Sequence, residues 1–246
     1  MHAPNERPSP WWYRRRGTVI GVIYGLGFVL GNLSFDGRPP QPAYVAWGAF
    51  FASGRGGTIL LGVSIASALA AWLWRASGTA FLQRSVVFAA DVQRDRLIVA
   101  GPFRYVRNPL YVGNMFLALS VALLAPPLGF ALILAGNAAI AGLLAAEESR
   151  GMAERYGAVY EAFRAAVPAF VPRLTPATVP GSVSARAAWG PALFGDAYCL
   201  LLAIALVPIA LYGEAGVRVF WAIVVPAFVV WSALGWWSGR AKPARS

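Results

Sequence analysis

The stretch Gly-Pro-Phe-Arg-Tyr-Val-Arg-Asn-Pro-Leu-Tyr-Val-Gly, residues 101–113, stands directly before a long apolar run. That run is interrupted by the pair Pro126-Pro127 and ends at a second polar cluster, Glu147-Glu148. Two prolines permit only a short turn between helices, so we expect 110–125 and 128–146 to form an antiparallel helical hairpin. The hairpin would bring both polar clusters to the same face of a membrane.

The composition is typical of an integral membrane protein. Of the 246 residues, 58% are hydrophobic and 13% are charged, and the mean hydropathy is +0.58. A soluble domain usually has about 45–50% apolar and about 25% charged residues. We therefore predict an all-α, polytopic transmembrane helical bundle of about six spans, each near the roughly 20 residues that cross a bilayer. These spans are 17–35, 58–74, 110–125, 128–146, 196–213 and 217–237.

The basic residues predict the orientation of the bundle. The net charge is +11. If both termini face the cytoplasm, 18 of the 21 basic residues lie in inner segments, and only Arg38, Arg55 and Arg218 lie outside. Because short cytoplasmic segments carry an excess of Lys and Arg, this distribution favours an N-in, C-in topology with both polar clusters in the cytoplasm. The same rule explains the basic charge without a nucleic-acid partner, and we expect none.

The chain divides into five segments along this pattern. They are a cytoplasmic N-terminal segment (1–16), N-terminal membrane helices with a loop (17–94), a core with the polar clusters (95–176), a linker (177–195) and a C-terminal two-helix extension (196–246). Within the core, 147–167 has apolar residues at helical spacing opposite charged ones, which indicates an interfacial amphipathic helix.

Few residues in this chain can support nucleophilic or metal chemistry. The only cysteine is Cys199, inside an apolar run, and the only histidine is His2. These two residues make an intrachain disulfide impossible and a Cys/His metal site or a His-dependent catalytic triad implausible, so we expect no bound metal. Asp196 stands at the entrance of a predicted span and is expected to cap its helix.

The stretch 101–111 resembles the G-P-[FY]-R-[YH]-x-R-[HN]-P-x-Y signature of isoprenylcysteine carboxyl methyltransferases and their phospholipid-methylating relatives. The similarity covers roughly 95–176 and continues through the hairpin, Glu147-Glu148, Tyr156-Gly157-x-x-Tyr160, Val167-Pro168 and Pro172-Arg173. It implies an S-adenosylmethionine-dependent methyltransferase in a bacterial inner membrane, with its cofactor at the cytoplasmic edge. A hydrophobic or lipid-anchored acceptor would reach the methyl group from the bilayer.

The resemblance also implies which residues form the site. The cofactor-binding residues would be Gly101, Pro102, Arg104, Tyr105, Arg107, Asn108, Pro109, Tyr111, Glu147 and Glu148. Catalytic roles would fall to Arg104, Arg107 and Arg173, and substrate contacts to Tyr156, Tyr160 and Arg173. Many family members have His at the position of Asn108, so a base at that position is not available here.

The chemistry of these residues suits this cofactor. Carboxylates such as Glu147 and Glu148 accept hydrogen bonds from ribose hydroxyls or an α-ammonium group. Tyr105 or Tyr111 can offer an aromatic face to a cation, and an arginine can pair with the cofactor carboxylate. Attack on a sulfonium methyl needs no metal and no strong base, so catalysis would consist mainly of positioning and desolvation.

Other readings of the same residues remain open. The scaffold could methylate a small thiol or a phospholipid amine instead. It could also be an NADPH-dependent membrane reductase of the sterol type, which has a related helical layout. In a non-enzymatic membrane protein with this fold, Arg104 and Arg107 would only set topology or bind lipid headgroups, and Glu147-Glu148 would be a solvated helix end.

Overall fold

The computed structural model describes residues 10–33, 40–49, 55–87 and 97–240, without the side chains of 83–87, 228 and 231–240. This part of the chain is all-α, apart from an isolated parallel bridge between Ile98 and Val183. The helices are α1 (Trp11–Arg14), α2 (Arg16–Gly31), α3 (Ala43–Gly48), α4 (Gly56–Val87), α5 (Pro109–Ala122), α6 (Pro127–Tyr156), α7 (Ala158–Ala166), α8 (Trp189–Gly195), α9 (Ala197–Tyr212) and α10 (Glu214–Arg240).

Two of the described helices, α4 and α6, are long and apolar enough to cross a membrane. A third span results if α8 and α9, which meet at a bend of 50°, are counted as one. The apolar helices α2 and α5 are shorter, with 16 and 14 residues. The structure thus supports two or three membrane-capable helices, and the arrangement of six spans with both termini inside stays a prediction. The segments 1–9, 34–39, 50–54, 88–96 and 241–246 of that prediction lie outside the described residues.

The predicted hairpin is confirmed. Helix α5 ends at Ala122, α6 begins at Pro127, and the two helices pack against each other. Pro127 takes the first position of its helix, where the missing amide hydrogen costs no hydrogen bond. The far ends of the hairpin, which carry the two polar clusters, therefore lie side by side.

Helix α6 is longer than the sequence pattern indicates. Its 30 residues run to Tyr156, so Glu147-Glu148 lies inside the helix and the predicted amphipathic helix 147–167 does not begin there. The break comes at Gly157, whose φ of 52° lies in the left-handed region that glycine tolerates best. The amphipathic helix is α7, which buries Tyr160 and Phe163 and leaves its charged residues exposed.

Small residues let α2 and α6 approach closely. A Cβ atom on Gly129 of α6 would overlap the carbonyl oxygen of Gly27 in α2, and one on Gly31 would lie 3.0 Å from the backbone nitrogen of Gly129. Gly27 and Gly31 are four residues apart and share a helix face, which is the small-residue spacing found where membrane helices pack tightly. This contact fixes the N-terminal helix against the hairpin.

Helix α4 also exceeds its predicted length, since it runs from Gly56 to Val87 and the predicted span ends at residue 74. Arg75 lies inside this helix, and its guanidinium nitrogens Nε and Nη2 are both 2.8 Å from Oδ1 of Asp196. Thr79 donates a hydrogen bond to the other carboxylate oxygen at 2.8 Å. The prediction that the Asp196 side chain caps α9 is therefore wrong. Asp196 instead joins α9 to α4 through a buried ion pair.

A small apolar core lies beside the end of the hairpin that carries the polar clusters. It consists of Leu97, Val99, Tyr160, Phe163, Val167, Ala177 and Val179. Two of these residues, Ala177 and Val179, belong to the segment 177–195 that the sequence assigns to a linker, and the same segment contains all of α8. This core holds α7 and the chain after it against the start of the motif region.

Candidate active site

The motif region opens with a tight 3-10 turn over Gly101–Arg104, directly before α5. Gly101 has a φ of 54°, and a Cβ atom there would overlap the ring of Phe81 on α4. Both the backbone conformation and the close ring therefore require glycine. Pro109 occupies the first position of α5, where its fixed φ favours helix initiation. These local preferences explain why the motif folds as a turn followed by a helix.

A second segment lies along the motif and is held to it by backbone hydrogen bonds. The amides of Arg107 and Asn108 donate to the carbonyls of Pro168 and Ala169 at 2.9 and 3.2 Å. The amide of Arg173 donates to the carbonyl of Tyr105 at 2.9 Å. We call residues 168–177 the strap, because it runs beside 104–108 and is bonded along that length.

The Asn108 side chain supports this arrangement. Its amide nitrogen donates to the carbonyl of Ala169 at 3.0 Å and makes no capping bond to α5. Arg104 acts similarly, because its Nε donates to the carbonyl of Ala177 at 3.0 Å and the Ala177 amide donates back to the Arg104 carbonyl at 2.8 Å. Both side chains hold the strap in place.

Glu148 connects the two arms of the hairpin. Tyr111 of α5 donates a hydrogen bond from its hydroxyl to Oε1 of Glu148 at 2.7 Å. The hydroxyl of Tyr13, from α1, donates to the same oxygen at 3.3 Å. Burial, followed by the negative charge of Glu148, raises the pKa of Tyr13 above its usual value, so this hydroxyl keeps its proton at neutral pH. The structure thus brings Tyr111 and Glu148 together, as the hairpin predicts.

Glu147 has a different partner. Its carboxylate forms an ion pair with Arg150, one turn later on α6, at 2.9 Å. The Glu147 side chain is 20% exposed and that of Arg150 is 61% exposed. An exposed pair of this kind is worth little and exchanges readily for another partner. The two neighbouring glutamates therefore differ, since Glu148 is fixed by tyrosines and Glu147 is held only by a surface arginine.

Arg107 points toward α6 and α7. Its Nη1 lies 3.4 Å from the hydroxyl of Ser149, and that hydroxyl lies 2.6 Å from the hydroxyl of Tyr160. The Nε of Arg107 is buried and has no hydrogen-bond partner among the described residues. A buried cationic donor without a partner is costly, and an anionic ligand group beside it would remove that cost.

The remaining predicted residues lie at the edge of this cluster. Arg173 is exposed, and its guanidinium donates to the carbonyl of Ala166 at the end of α7. Tyr156 is partly buried against the small apolar core. The guanidinium carbon of Arg155 lies 5.4 Å from the centre of the Tyr156 ring. Tyr105, Gly101 and Pro102 are partly buried in the motif turn.

Sequence reasoning missed two polar residues of the cluster. Tyr13 belongs to the segment 1–16, in which the sequence indicates no site residue, although its hydroxyl donates a hydrogen bond to Glu148, 135 positions away in the sequence. Ser149 carries no sequence signal of its own and becomes relevant only because it links Arg107 with Tyr160.

The residues present fit S-adenosylmethionine, which carries a sulfonium, an ammonium, a carboxylate and a ribose diol. Glu147 and the second oxygen of Glu148 are acceptors suited to an ammonium or a diol. The unpartnered Nε of Arg107 is a donor suited to a carboxylate. The cluster thus offers groups of both signs within one face of the hairpin.

Comparison with known proteins agrees with the pattern in the motif region. Residues 52–159 match the model of a family described as phospholipid methyltransferase. No curated protein and no solved structure matches the chain. The matched range contains the motif turn, both arms of the hairpin and Glu147-Glu148, and it ends before Tyr160 and the strap. The resemblance to the membrane methyltransferase family of the isoprenylcysteine carboxyl and phospholipid methyltransferases is therefore confirmed over residues 52–159.

Proposed function

We propose that this protein transfers a methyl group from S-adenosylmethionine to a hydrophobic or lipid-anchored acceptor at the cytoplasmic edge of a membrane. The observation that carries the proposal is the 2.7 Å hydrogen bond between Tyr111 and Glu148. It joins the motif of one hairpin arm to the acidic pair of the other, and both lie inside the range that matches the methyltransferase family.

Each cluster residue has a distinct part in this proposal. When bound, the cofactor supplies an electrophilic methyl group on a cationic sulfur. Glu148, oriented by Tyr111 and Tyr13, accepts hydrogen bonds through its second oxygen. Glu147 exchanges Arg150 for a ligand donor, and Arg107 binds a carboxylate through its buried Nε. The protein contributes positioning and exclusion of water rather than acid–base chemistry.

The length of α6 supports a site at the membrane edge. At about 1.5 Å per residue its 30 residues extend about 45 Å, compared with about 30 Å for the hydrocarbon core. Glu148 follows Pro127 by about 21 residues, which corresponds to about 32 Å along the helix axis. If α6 enters the bilayer at Pro127, Glu148 lies where hydrocarbon gives way to headgroups. A water-soluble cofactor and a lipid-anchored acceptor can both reach that depth.

The acceptor is proposed by class only. Arg173 on the exposed strap is suited to an anionic group of the acceptor, and the partly buried Tyr156 is suited to pack against its body. The predicted substrate contact through Tyr160 is not part of this proposal, because its side chain is 4% exposed and packs in the small apolar core. A phospholipid amine is the second candidate acceptor, because the matching family is described by phospholipid methylation. The cluster of Glu147, Glu148 and Arg107 would serve either acceptor, because in this proposal these residues bind only the methyl donor.

The test is to incubate the purified full-length chain with methyl-labelled S-adenosylmethionine and either a total membrane lipid extract or an aqueous extract of small molecules. We expect label in the lipid fraction, and a Glu148→Gln variant should lose it. Label only in the aqueous fraction would replace the lipid acceptor with a small thiol. Tight NADPH binding without binding of S-adenosylhomocysteine would overturn the proposal in favour of a reductase.

A further inference from the structure

A separate cleft of about 440 Å³ lies on the membrane side of the candidate active site. Apolar side chains from three helices line it, among them Ile20 of α2, Leu117 of α5 and Leu202 of α9. Leu117 follows Tyr111 by six residues on α5, which places it about 9 Å further along the helix axis. A volume of this size is within the range of ligand pockets, about 300–1,000 Å³.

Helices α2 and α9 both contribute side chains to the lining of the cleft. These helices are held by different neighbours, because α2 packs mainly against α6 and α9 packs against α4 and α10. The outer faces of these two helices, turned away from the lining residues, are apolar and exposed, with Val22 at 52% and Leu26 at 48% on α2 and Ile204 at 50% on α9. Such surfaces favour lipid over water, so the helices that line the cleft are suited to lie against the bilayer.

The polar lining of the cleft carries no net charge. Arg75 is its one charged residue, and the buried carboxylate of Asp196 neutralises it at 2.8 Å. Two amides also face the cleft. Asn114 accepts a hydrogen bond from Arg75 through its Oδ1, and Asn137 donates to the carbonyl of Ile133 at 2.9 Å. Each of these amides therefore has a hydrogen-bond partner within the protein.

One donor in this lining is available to a ligand. The amide nitrogen of Asn114 has no hydrogen-bond partner among the described residues, since only its oxygen is engaged by Arg75. A neutral hydroxyl, ester or ether oxygen can accept from that donor without bringing a charge into the membrane interior. An anionic group would instead compete with Asp196 for Arg75, and a cationic group would compete with Arg75 for Asp196.

We propose that this cleft binds an uncharged amphiphile from the bilayer, a molecule with one apolar chain and a neutral hydrogen-bonding head group. The apolar chain lies along Ile20, Leu117 and Leu202, and the head group accepts a hydrogen bond from Asn114. This proposal concerns binding only and does not require the molecule to be methylated.

The test uses three single-chain probes of equal length and different charge: 1-monooleoylglycerol, oleate and oleylamine. Native mass spectrometry of the full-length chain from maltoside micelles measures their binding without any cofactor. We expect monooleoylglycerol to bind at least about 10-fold more tightly than either charged probe. Equal or tighter binding of oleate or oleylamine would overturn the proposal, and no variant is needed for this comparison.

Two variants locate the bound probe. Asn114→Leu removes the available donor and should weaken monooleoylglycerol binding about 3- to 10-fold, whereas the matched change Asn32→Leu at the end of α2 should leave it unchanged. Asp196→Asn leaves the charge of Arg75 unbalanced, so oleate should then bind more tightly than to the unaltered chain. Equal binding to the Asn114→Leu and Asn32→Leu variants would show that the probe sits elsewhere.

Discussion

Replacing Asp196 by Asn should destabilise this protein strongly, although the two side chains have nearly the same shape. Asn keeps an oxygen that can accept from Thr79, so the change removes mainly the negative charge. The Asp196 side chain is 4% exposed and that of Arg75 is 18% exposed. Removing one partner from a buried ion pair leaves an unpaired charge and typically costs about 3–5 kcal/mol.

A surface pair on α7 supplies the matched control. Glu161 and Arg164 are 3.0 Å apart and one helical turn from each other, but their side chains are 49% and 57% exposed. Glu161→Gln also exchanges a carboxylate for an amide, and an exposed pair of this spacing contributes about 0.2–0.5 kcal/mol. The two variants therefore make the same chemical change at sites that differ mainly in access to water.

Thermal unfolding in maltoside micelles, followed by circular dichroism, measures both variants. For a chain of this size, 1 kcal/mol corresponds to about 2–4 °C, so Asp196→Asn should lower Tm by about 6–20 °C and Glu161→Gln by less than about 2 °C. Replacing both partners, with Arg75→Met and Asp196→Leu together, should recover much of the loss because no charge stays buried. A Tm for Asp196→Asn equal to that of Glu161→Gln would refute the reasoning and show that water reaches the pair.

Three further variants test other contacts. Gly129→Ala should cost about 1–3 kcal/mol in a thermal unfolding assay, because its methyl group overlaps a backbone carbonyl oxygen of α2, while Gly142→Ala on the same helix has open space and should be neutral or stabilising. Glu148→Gln should weaken S-adenosylhomocysteine binding about tenfold or more in calorimetry, and Glu154→Gln should not; equal affinities would remove Glu148 from the site. Arg173→Ala should lower acceptor turnover while leaving cofactor affinity within about twofold, and a parallel loss of both would contradict its assignment to the acceptor.

The parts of the fold that sequence predicted are those that local chemistry decides. Pro126-Pro127 cannot continue a helix, so the hairpin and the meeting of its two polar ends followed from two adjacent residues. Gly101 and Pro109 likewise act on their own backbone, which is why the motif turn and the start of α5 fall where the pattern indicates.

The parts that were wrong depend on partners far away in the sequence. An arginine such as Arg75 is usually taken as the end of a span, because an unpaired charge is costly inside a membrane. Its partner Asp196 is 121 positions away, so the local sequence does not show that the charge is paired. The same holds for Tyr13, whose contact with Glu148 has no local signature. The length of α6 is a different case with a local cause. Polar residues after the acidic pair are compatible with a helix, and α6 ends only at Gly157.

The strap determines how much of the chain must accompany the motif when the motif is transplanted into another protein. The matching range stops at residue 159, yet the backbone groups of Arg104, Tyr105 and Arg107 find their partners in 168–177. Further along, Val183 exchanges two backbone hydrogen bonds with Leu97 and Val99, each 3.0 Å long. The boundary of sequence similarity is therefore not a boundary of folding. A chimaera that transplants the motif must carry the chain through residue 183, or it will move the arginines without the backbone that holds them.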